Sequence, residues 1–277
     1  MSGSAVIFDQ QNPGNSVANQ SLIVNKTVVS CVTVDRRYMD TAGLYQSNRR
    51  GATPPTGLPV GVAERGFLAR LSYELINELI ESSRSASYPT GMNLETPARA
   101  SLALIVSGAL RYYLPAANGR QLTVGYLGPG NVIGTVEKES TALVRMQVIE
   151  PTILRHLQAD RVHALMNRRP EFKQAMLDEA TQALRHSFRV LAASAFTTVR
   201  ARVARDIIER ASLSGPLRAG AKLIVTQQSL ADATGSVREV VSRALQSLSQ
   251  EGVIATSPSS VTVLDPDALT RLAGYLI

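Results

Sequence analysis

The sequence predicts an α+β protein built from an N-terminal β-roll, a long helix and a C-terminal winged helix-turn-helix. Short β-prone segments punctuated by Gly and Asn turns predict the roll over residues 63–169. A seven-residue repeat of leucine predicts the long helix over 170–196. Two helices joined by a glycine turn and followed by two short strands predict the winged motif over 197–277.

Composition limits the class of protein. The chain has 277 residues, 44% of them hydrophobic, and a formal net charge of +7, which favours two globular domains and a polyanionic partner such as nucleic acid. Its single cysteine, Cys31, excludes an intrachain disulfide framework, a zinc-thiolate site and a cysteine-ligated iron-sulfur cluster within one subunit. The chain lacks a basic leader and a long apolar stretch, so we expect a cytoplasmic protein without a membrane span.

Residues 1–62 differ from the rest of the chain. They are rich in Ser, Asn, Gln, Gly and Thr and end in a Pro- and Gly-rich linker at 51–59, which predicts a partly disordered extension. The β-prone stretch 21–34 is compatible with a short hairpin, an added edge strand or disorder. Met39 lies nearer to the recognisable domain, and we hypothesise that it is the true start.

The β-roll is predicted from helix and strand patterns. From Glu64 to Ser83, apolar residues recur at three- and four-residue spacing, which predicts an amphipathic helix packed on a sheet. Strands are predicted at 102–106, 108–114, 121–127 and 143–148. Many short strands with closely spaced turns indicate a small roll or barrel.

The long helix, from Pro170 to about Ala195, carries an apolar seam. Leucines recur every seven residues, and a second set follows four residues later, which predicts a coiled-coil-like dimer interface. The alternative is a helix packed only on its own sheet. The predicted interface residues are Leu177, Thr181, Leu184, Phe188, Leu191 and Ala195. A dimer would present two recognition helices to successive turns of the major groove.

The helix-turn-helix follows a helix predicted over Thr198 to Ala211. Thr226 is expected to cap its first helix, Gly235 to supply the turn, and Ser236 to open a recognition helix over about 236–250. We expect one face of that helix to be buried, through Val240, Val241, Ala244, Leu245 and Leu248. We expect the other face to be exposed, through Val237, Arg238, Glu239, Ser242, Arg243 and Gln246.

The wing is predicted over 253–264, as two strands that begin once Gly252 has ended the recognition helix. A last short helix is expected from Asp265-Pro266.

The sequence motifs of this region resemble those of the cyclic-AMP receptor/fumarate-nitrate regulator (Crp/Fnr) family of bacterial transcription factors. The resemblance covers about 198–269 and, more thinly, 67–195. It is carried by the runs Thr226–Ala231, Thr234-Gly235, Val237–Leu245 and Glu251–Ile254. It implies a cyclic-nucleotide-binding-like jelly roll for the roll and a dimeric, sequence-specific DNA-binding regulator for the whole chain.

In that family an Arg-Glu pair and a second Arg read base edges, which implies this role for Arg238, Glu239 and Arg243. Arginine donates to guanine O6 and N7 and glutamate accepts from cytosine N4, with roughly 1–3 kcal/mol of discrimination per pair. The resemblance implies TGTGA-like half-sites in an inverted repeat. Alternatively, Ser236 and Glu239 form a capping box, and Glu239 and Arg243 form an ordinary ion pair along the helix.

Other polar residues near the motif are expected to contact phosphates. Hydroxyls, amides and lysines commonly fix the register of a protein on the DNA backbone. The predicted backbone contacts are Thr226, Gln227, Ser236, Ser242 and Lys222.

The family's phosphate-binding cassette is altered. Thr135 stands where the ribose-binding Glu is expected, and Ser140 stands where the phosphate-binding Arg is expected. We therefore expect no cofactor and no normal binding of a cyclic nucleotide. A ligand pocket at this place would comprise Gly134, Thr135, Lys138, Ser140, Thr141 and Arg145. An unknown small ligand, control by expression level and a partner protein are the alternatives.

Enzyme signatures are absent from the sequence. It contains no nucleophile elbow, no Walker loop, no spaced carboxylate pair and no metal-ligand cluster, so we expect neither an enzyme nor a metal site. The expected partners are double-stranded DNA and a second copy of the chain, with RNA polymerase a candidate and no membrane. A ligand-binding or scaffold β-roll without DNA activity is the alternative, against which Arg238, Glu239 and Arg243 argue.

Overall fold

The computed structural model describes residues 53–94, 101–135 and 144–274. The predictions for Met39 and for the stretch 21–34 lie outside the described residues. An α+β fold is observed, as predicted, with an N-terminal antiparallel sheet and a C-terminal helical part.

The N-terminal part forms one sheet with two helices before it and one after it. A 3-10 helix at Leu68–Arg70 and helix α1 at Tyr73–Glu81 come first, and α2 at Ala159–Arg168 follows the sheet. The described strands are β1 (Ser83–Tyr88), β2 (Asn93–Leu94), β3 (Ser101–Pro115), β4 (Gln121–Leu127), β5 (Val132–Thr135) and β6 (Arg145–Gln158). Their order is β1-β6-β3-β4, with β2 paired to β6 and β5 paired to β3.

Two of the predicted strands are one strand. The segments 102–106 and 108–114 lie within β3, which pairs with β6 from Ser101↔Gln158 to Tyr113↔Arg145. Gly108, with φ of 81°, lies where the register of this pair shifts. The glycine thus makes a bulge in a continuous strand rather than a turn between two strands.

The predicted helix over 64–83 is wrong at its start. Leu71 is extended, with φ of −106° and ψ of 151°, and the Ser72 hydroxyl accepts a hydrogen bond from the Leu75 amide at 3.3 Å, so α1 begins only at Tyr73. The apolar periodicity is nevertheless used, because Phe67 and Leu75 are fully buried in the same core. Phe172 joins that core, with its ring 6.0 Å from that of Phe67.

The long helix α3 spans Pro170–Phe196, so its predicted extent is confirmed. Phe172, Ala175 and Ala193 on this helix are buried. Buried Arg70 also ties the helix to the N-terminal part, through Glu179 at 2.9 Å and Gln182 at 2.5 Å. The predicted seam residues are all exposed.

The C-terminal part is a separate core of helices and a three-stranded sheet. Its elements are α4 (Val199–Leu213), β7 (Lys222–Ile224), α5 (Gln227–Ala233), α6 (Arg238–Gln250), β8 (Ile254–Ser257), β9 (Ser260–Val263) and α7 (Pro266–Leu272). Strands β8 and β9 form the predicted wing, and β7 pairs with β9. The core includes Ile207, Leu230 and Leu248. No helix in the described ranges is long and apolar enough to span a membrane.

Two glycines with nearly equal φ provide a test of the bulge. A Cβ at Gly108 (φ 81°) would lie 2.7 Å from Thr152 Cα, whereas one at Gly119 (φ 80°) would meet nothing within 4 Å. We expect Gly108→Ala to lower the free energy of unfolding by about 3 kcal/mol or more, because backbone strain and overpacking add. Gly119→Ala, which adds strain alone, should cost about 1–2 kcal/mol. Urea unfolding of both variants measures the difference, and equal losses would contradict the steric role.

Candidate nucleic-acid interface

The first helix and the turn of the motif form as predicted. The Thr226 hydroxyl accepts a hydrogen bond from the Ser229 amide at 3.1 Å and caps α5. Leu230 and Ala231 are buried in the core below. Gly235 adopts φ of 63°, the left-handed conformation that glycine tolerates best.

The predicted start of the recognition helix is wrong. Helix α6 begins at Arg238 rather than at Ser236, and its N-cap is Val237, whose side chain makes no capping hydrogen bond. Ser236 belongs to the turn, because its amide donates to the Ala231 carbonyl at 3.0 Å. The capping box of Ser236 and Glu239 is therefore not formed.

The buried face of α6 follows the prediction with one exception. Val241, Ala244, Leu245 and Leu248 are buried. Val240 was also expected inside but is 36% exposed. At about 100° per residue it lies roughly 90° from the centre of the buried face, which explains its exposure.

The predicted base-reading side chains all lie on the exposed surface of α6. Arg238, Glu239 and Arg243 are exposed, and no ion pair joins Glu239 to Arg243 within the described ranges. Arg238 Nε lies 3.5 Å from Gln227 Oε1, so the beginnings of α5 and α6 are close together. The arrangement leaves two guanidinium groups and a carboxylate free to contact a ligand.

The predicted backbone contacts are distributed around the start of both helices and on the sheet. Lys222 is exposed on β7 opposite Thr262 of the wing. Thr226 is exposed, although its hydroxyl already caps α5. The remaining members are half-buried, namely Gln227, Ser236 and Ser242. The partial positive charge at the start of α6 adds to that of its arginines and favours an anion there.

The turn of the motif is held by the N-terminal part, a contact that the sequence analysis missed. Leu122 of β4 forms an antiparallel bridge with Thr234, and Arg120 donates to the Gly235 carbonyl. From α4, Arg202 donates to the carbonyls of Thr234 (3.2 Å) and Thr197 (2.8 Å). These partners are up to 115 residues apart, so no local pattern could have indicated them.

A buried carboxylate joins α4 to the sheet. Asp206 accepts a hydrogen bond from the Tyr126 hydroxyl of β4 and another, of 2.7 Å, from Arg210 Nε. The Arg210 guanidinium also lies 4.8 Å from the centre of the Tyr126 ring. Burial, together with the nearby Asp206, raises the pKa of Tyr126, so the phenol remains a donor.

The predicted ligand pocket is only partly described. Gly134 is exposed in β5, and Arg145 is exposed at the start of β6. Lys138, Ser140 and Thr141 lie outside the described residues, as does the side chain of Thr135. Within the described ranges, no three His, Cys, Asp or Glu side chains are grouped so that they could hold a metal ion.

Comparison with known proteins identifies the family. The model of the Crp-like helix-turn-helix domain matches residues 201–272. The transcriptional regulator LdrP of Thermus thermophilus is 32% identical over 183 residues, which are 60% of this chain and 84% of LdrP. The chain belongs to the Crp/Fnr family of DNA-binding transcription regulators. Another Crp/Fnr relative, the cyclic AMP receptor protein of the same organism, is 30% identical over 176 residues, covering 62% of this chain and 79% of that protein.

Solved structures agree with this Crp/Fnr fold. FixK2 from Bradyrhizobium japonicum matches with a TM-score of 0.61 at 20% identity, over 70% of this chain and 99% of FixK2. The c-di-GMP responsive regulator CLP of Xanthomonas campestris matches with a TM-score of 0.60 at 23% identity, over 69% and 98% of the two chains. At these identities the matches support the fold alone.

Glu209 lies where the two parts of this Crp/Fnr regulator meet. Its half-buried side chain lines a cavity of about 40 Å³ between β4, α3, α4 and α5, together with Arg205 and Asp206. Burial, reinforced by the negative charge of Asp206, raises the pKa of Glu209 from 4.5 to about 8. The folded protein therefore holds a proton that the unfolded chain releases between these two pH values.

Glu209→Gln should remove this pH dependence. Wild-type stability falls as the pH rises from about 5 to 8, because charging Glu209 is unfavourable only in the folded state. We expect the variant to match wild type near pH 5 and to exceed it by about 1 kcal/mol or more at pH 8, as one pKa unit corresponds to about 1.4 kcal/mol. Urea unfolding at both pH values measures this, with Glu81→Gln, at an exposed position, as the control. Parallel curves for Glu209→Gln and wild type would refute it.

Proposed function

We propose that the chain acts as a homodimer that binds an inverted repeat of TGTGA-like half-sites. In this proposal Arg238, Glu239 and Arg243 read base edges in the major groove. The observation that carries it is the exposure of all three side chains on the helix that follows the Gly235 turn. Arginine and glutamate without an intrahelical partner keep their donors and acceptor for guanine and cytosine.

The surrounding polar residues support a fixed register on DNA. We propose that Lys222, Thr226, Gln227, Ser236 and Ser242 contact phosphates, since such contacts position a recognition helix without selecting sequence. The short distance between Arg238 and Gln227 supports this, because one duplex could then meet both helices.

A second copy of the chain is the proposed occupant of the exposed seam on α3. Leu177, Leu184, Phe188 and Leu191 are each 58–60% exposed in the single chain. Their heptad spacing matches a parallel pair of helices, whose burial would remove a large apolar surface from water. Thr181 and Ala195, also exposed, complete the proposed interface.

The N-terminal part is proposed not to bind a cyclic nucleotide in the usual way. One of the two Thermus relatives is named cyclic AMP receptor protein. In this sequence, however, Ser140 stands where a phosphate-binding arginine is expected. Without that charge-assisted contact a cyclic phosphate loses its strongest partner.

We further propose that the chain contacts RNA polymerase and is not an enzyme, as its curated relatives are transcription regulators.

Arg243→Ala should separate base contacts from phosphate contacts. On a duplex selected from a random pool, we expect affinity to fall roughly 5- to 150-fold and preference to relax at one base pair, with little change on random DNA. Lys222→Ala should instead weaken all duplexes alike and reduce the salt slope by about 1. Mobility shifts at several salt concentrations test both. A uniform loss for Arg243→Ala would disprove its base-reading role.

Leu184→Glu should disrupt the proposed dimer. Placing two carboxylates in an apolar interface carries a large desolvation cost, so we expect the dimer dissociation constant to rise at least about 100-fold. Sedimentation equilibrium measures it. Ala183→Glu, at an exposed position on the same helix outside the seam, should leave the dimer intact. A monomeric wild type, or a Leu184→Glu variant that remains dimeric, would rule out this interface.

A further inference from the structure

The recognition helix begins differently from the other helices of the DNA-binding part. The three others described there have side-chain N-caps, namely Thr198 on α4, Thr226 on α5 and Asp265 on α7. Helix α6 has Val237 at this position, and its side chain makes no cap. Valine is among the least favourable N-cap residues, so α6 forgoes a common source of helix stability.

A second valine, in the first turn of α6, is exposed to solvent like the N-cap valine before it. Val237 is 52% exposed and Val240 is 36% exposed. The Val240 amide donates to the Val237 carbonyl at 3.1 Å, so the two valines lie close together at the start of the helix. Arg243 follows Val240 by three residues and is its neighbour on the helix surface. An exposed β-branched residue is a poor choice for a helix in terms of stability alone. A valine at the N-cap and an exposed valine in the first turn both disfavour helix stability. Two such residues close together indicate a functional surface.

We propose that Val237 and Val240 form an apolar pair that contacts thymine 5-methyl groups beside the base read by Arg243. The inference rests on the proposed function of α6 as the base-reading helix. On the major-groove edges of DNA, the thymine methyl is the apolar group that distinguishes one base pair from the others. A serine at these positions would instead favour polar edges.

The position of the pair argues for DNA rather than a protein as its occupant. The valines lie next in sequence to Arg238 and Glu239, so a protein that covered them would also cover the charged side chains. Buried without partners, those charges would be costly. The pair is also small, in contrast with the seam of α3, and fits one or two methyl groups rather than a protein surface.

Deoxyuridine provides a direct test, because it differs from thymidine only in the missing methyl group. A duplex is first selected from a random pool with the wild-type protein, and each thymidine of the half-site is then replaced singly. We expect wild-type affinity to fall about fourfold at one or two positions, the loss that corresponds to one methyl group returned to water. Replacement at the other positions should have no effect.

The variants Val237→Ser and Val240→Ser should lose this sensitivity to deoxyuridine. Val237→Ser should also raise the thermal midpoint, since serine restores the cap, so better folding would accompany weaker thymine discrimination. Val60→Ser, at a fully exposed position outside the DNA-binding part, is the matched control and should behave as wild type.

Two outcomes would overturn the inference. These are a wild-type protein insensitive to every replacement, and valine variants that remain as sensitive as wild type, whether or not their stability changes. A wild-type protein that selects no duplex at all would instead overturn the proposed function, so the two failures are distinguishable.

Discussion

The position of the recognition helix depends on how the helix-turn-helix turn is held. Its carbonyls at Thr234 and Gly235 are bonded by Arg202 and Arg120, and Thr234 also bridges to β4 of the N-terminal sheet. Arg238 follows three residues after Gly235. A displacement of the β3–β4 hairpin would therefore be transmitted to the start of α6 through backbone contacts as well as through side chains. Contiguous contacts of this kind can couple two sites.

The same junction contains the most deeply buried ion pair described for the chain. The side chains of Asp206 and Arg210 are 6% and 11% exposed, and Tyr126 supplies the further hydrogen bond that the carboxylate needs. Removing one member of such a pair leaves a buried charge without a partner and typically costs about 3–5 kcal/mol. The contact therefore helps to hold α4 against β4. Burial is the main reason that the pKa of the neighbouring Glu209 is raised, and the negative charge of Asp206 adds to it.

Local signals made the long helix and the turn predictable, whereas long-range contacts did not. Pro170 and the leucine heptad were enough to predict α3, and Thr226 and Gly235 were enough to predict the turn of the motif. Each of these signals depends only on residues close to it in sequence. The helix over 64–83 was predicted too long, since its periodicity continues across an extended Leu71 that tertiary packing imposes. Exposure of the base-reading side chains followed from helical periodicity alone. Their support by Arg120 and Arg202 could not be predicted, because it joins segments distant in sequence.

The uncapped start of α6 is possible because other contacts replace the cap. The amides of Val240 and Val241 both donate to the Val237 carbonyl at 3.1 Å, and the Ser236 amide donates to Ala231 at 3.0 Å. Val241 is fully buried, so the first turn is anchored from below by the core. With the backbone fixed in this way, the side chains at 237 and 240 are not required for folding. These two side chains can therefore be suited to what the helix binds. This allows valines at positions where stability alone would favour serine or threonine.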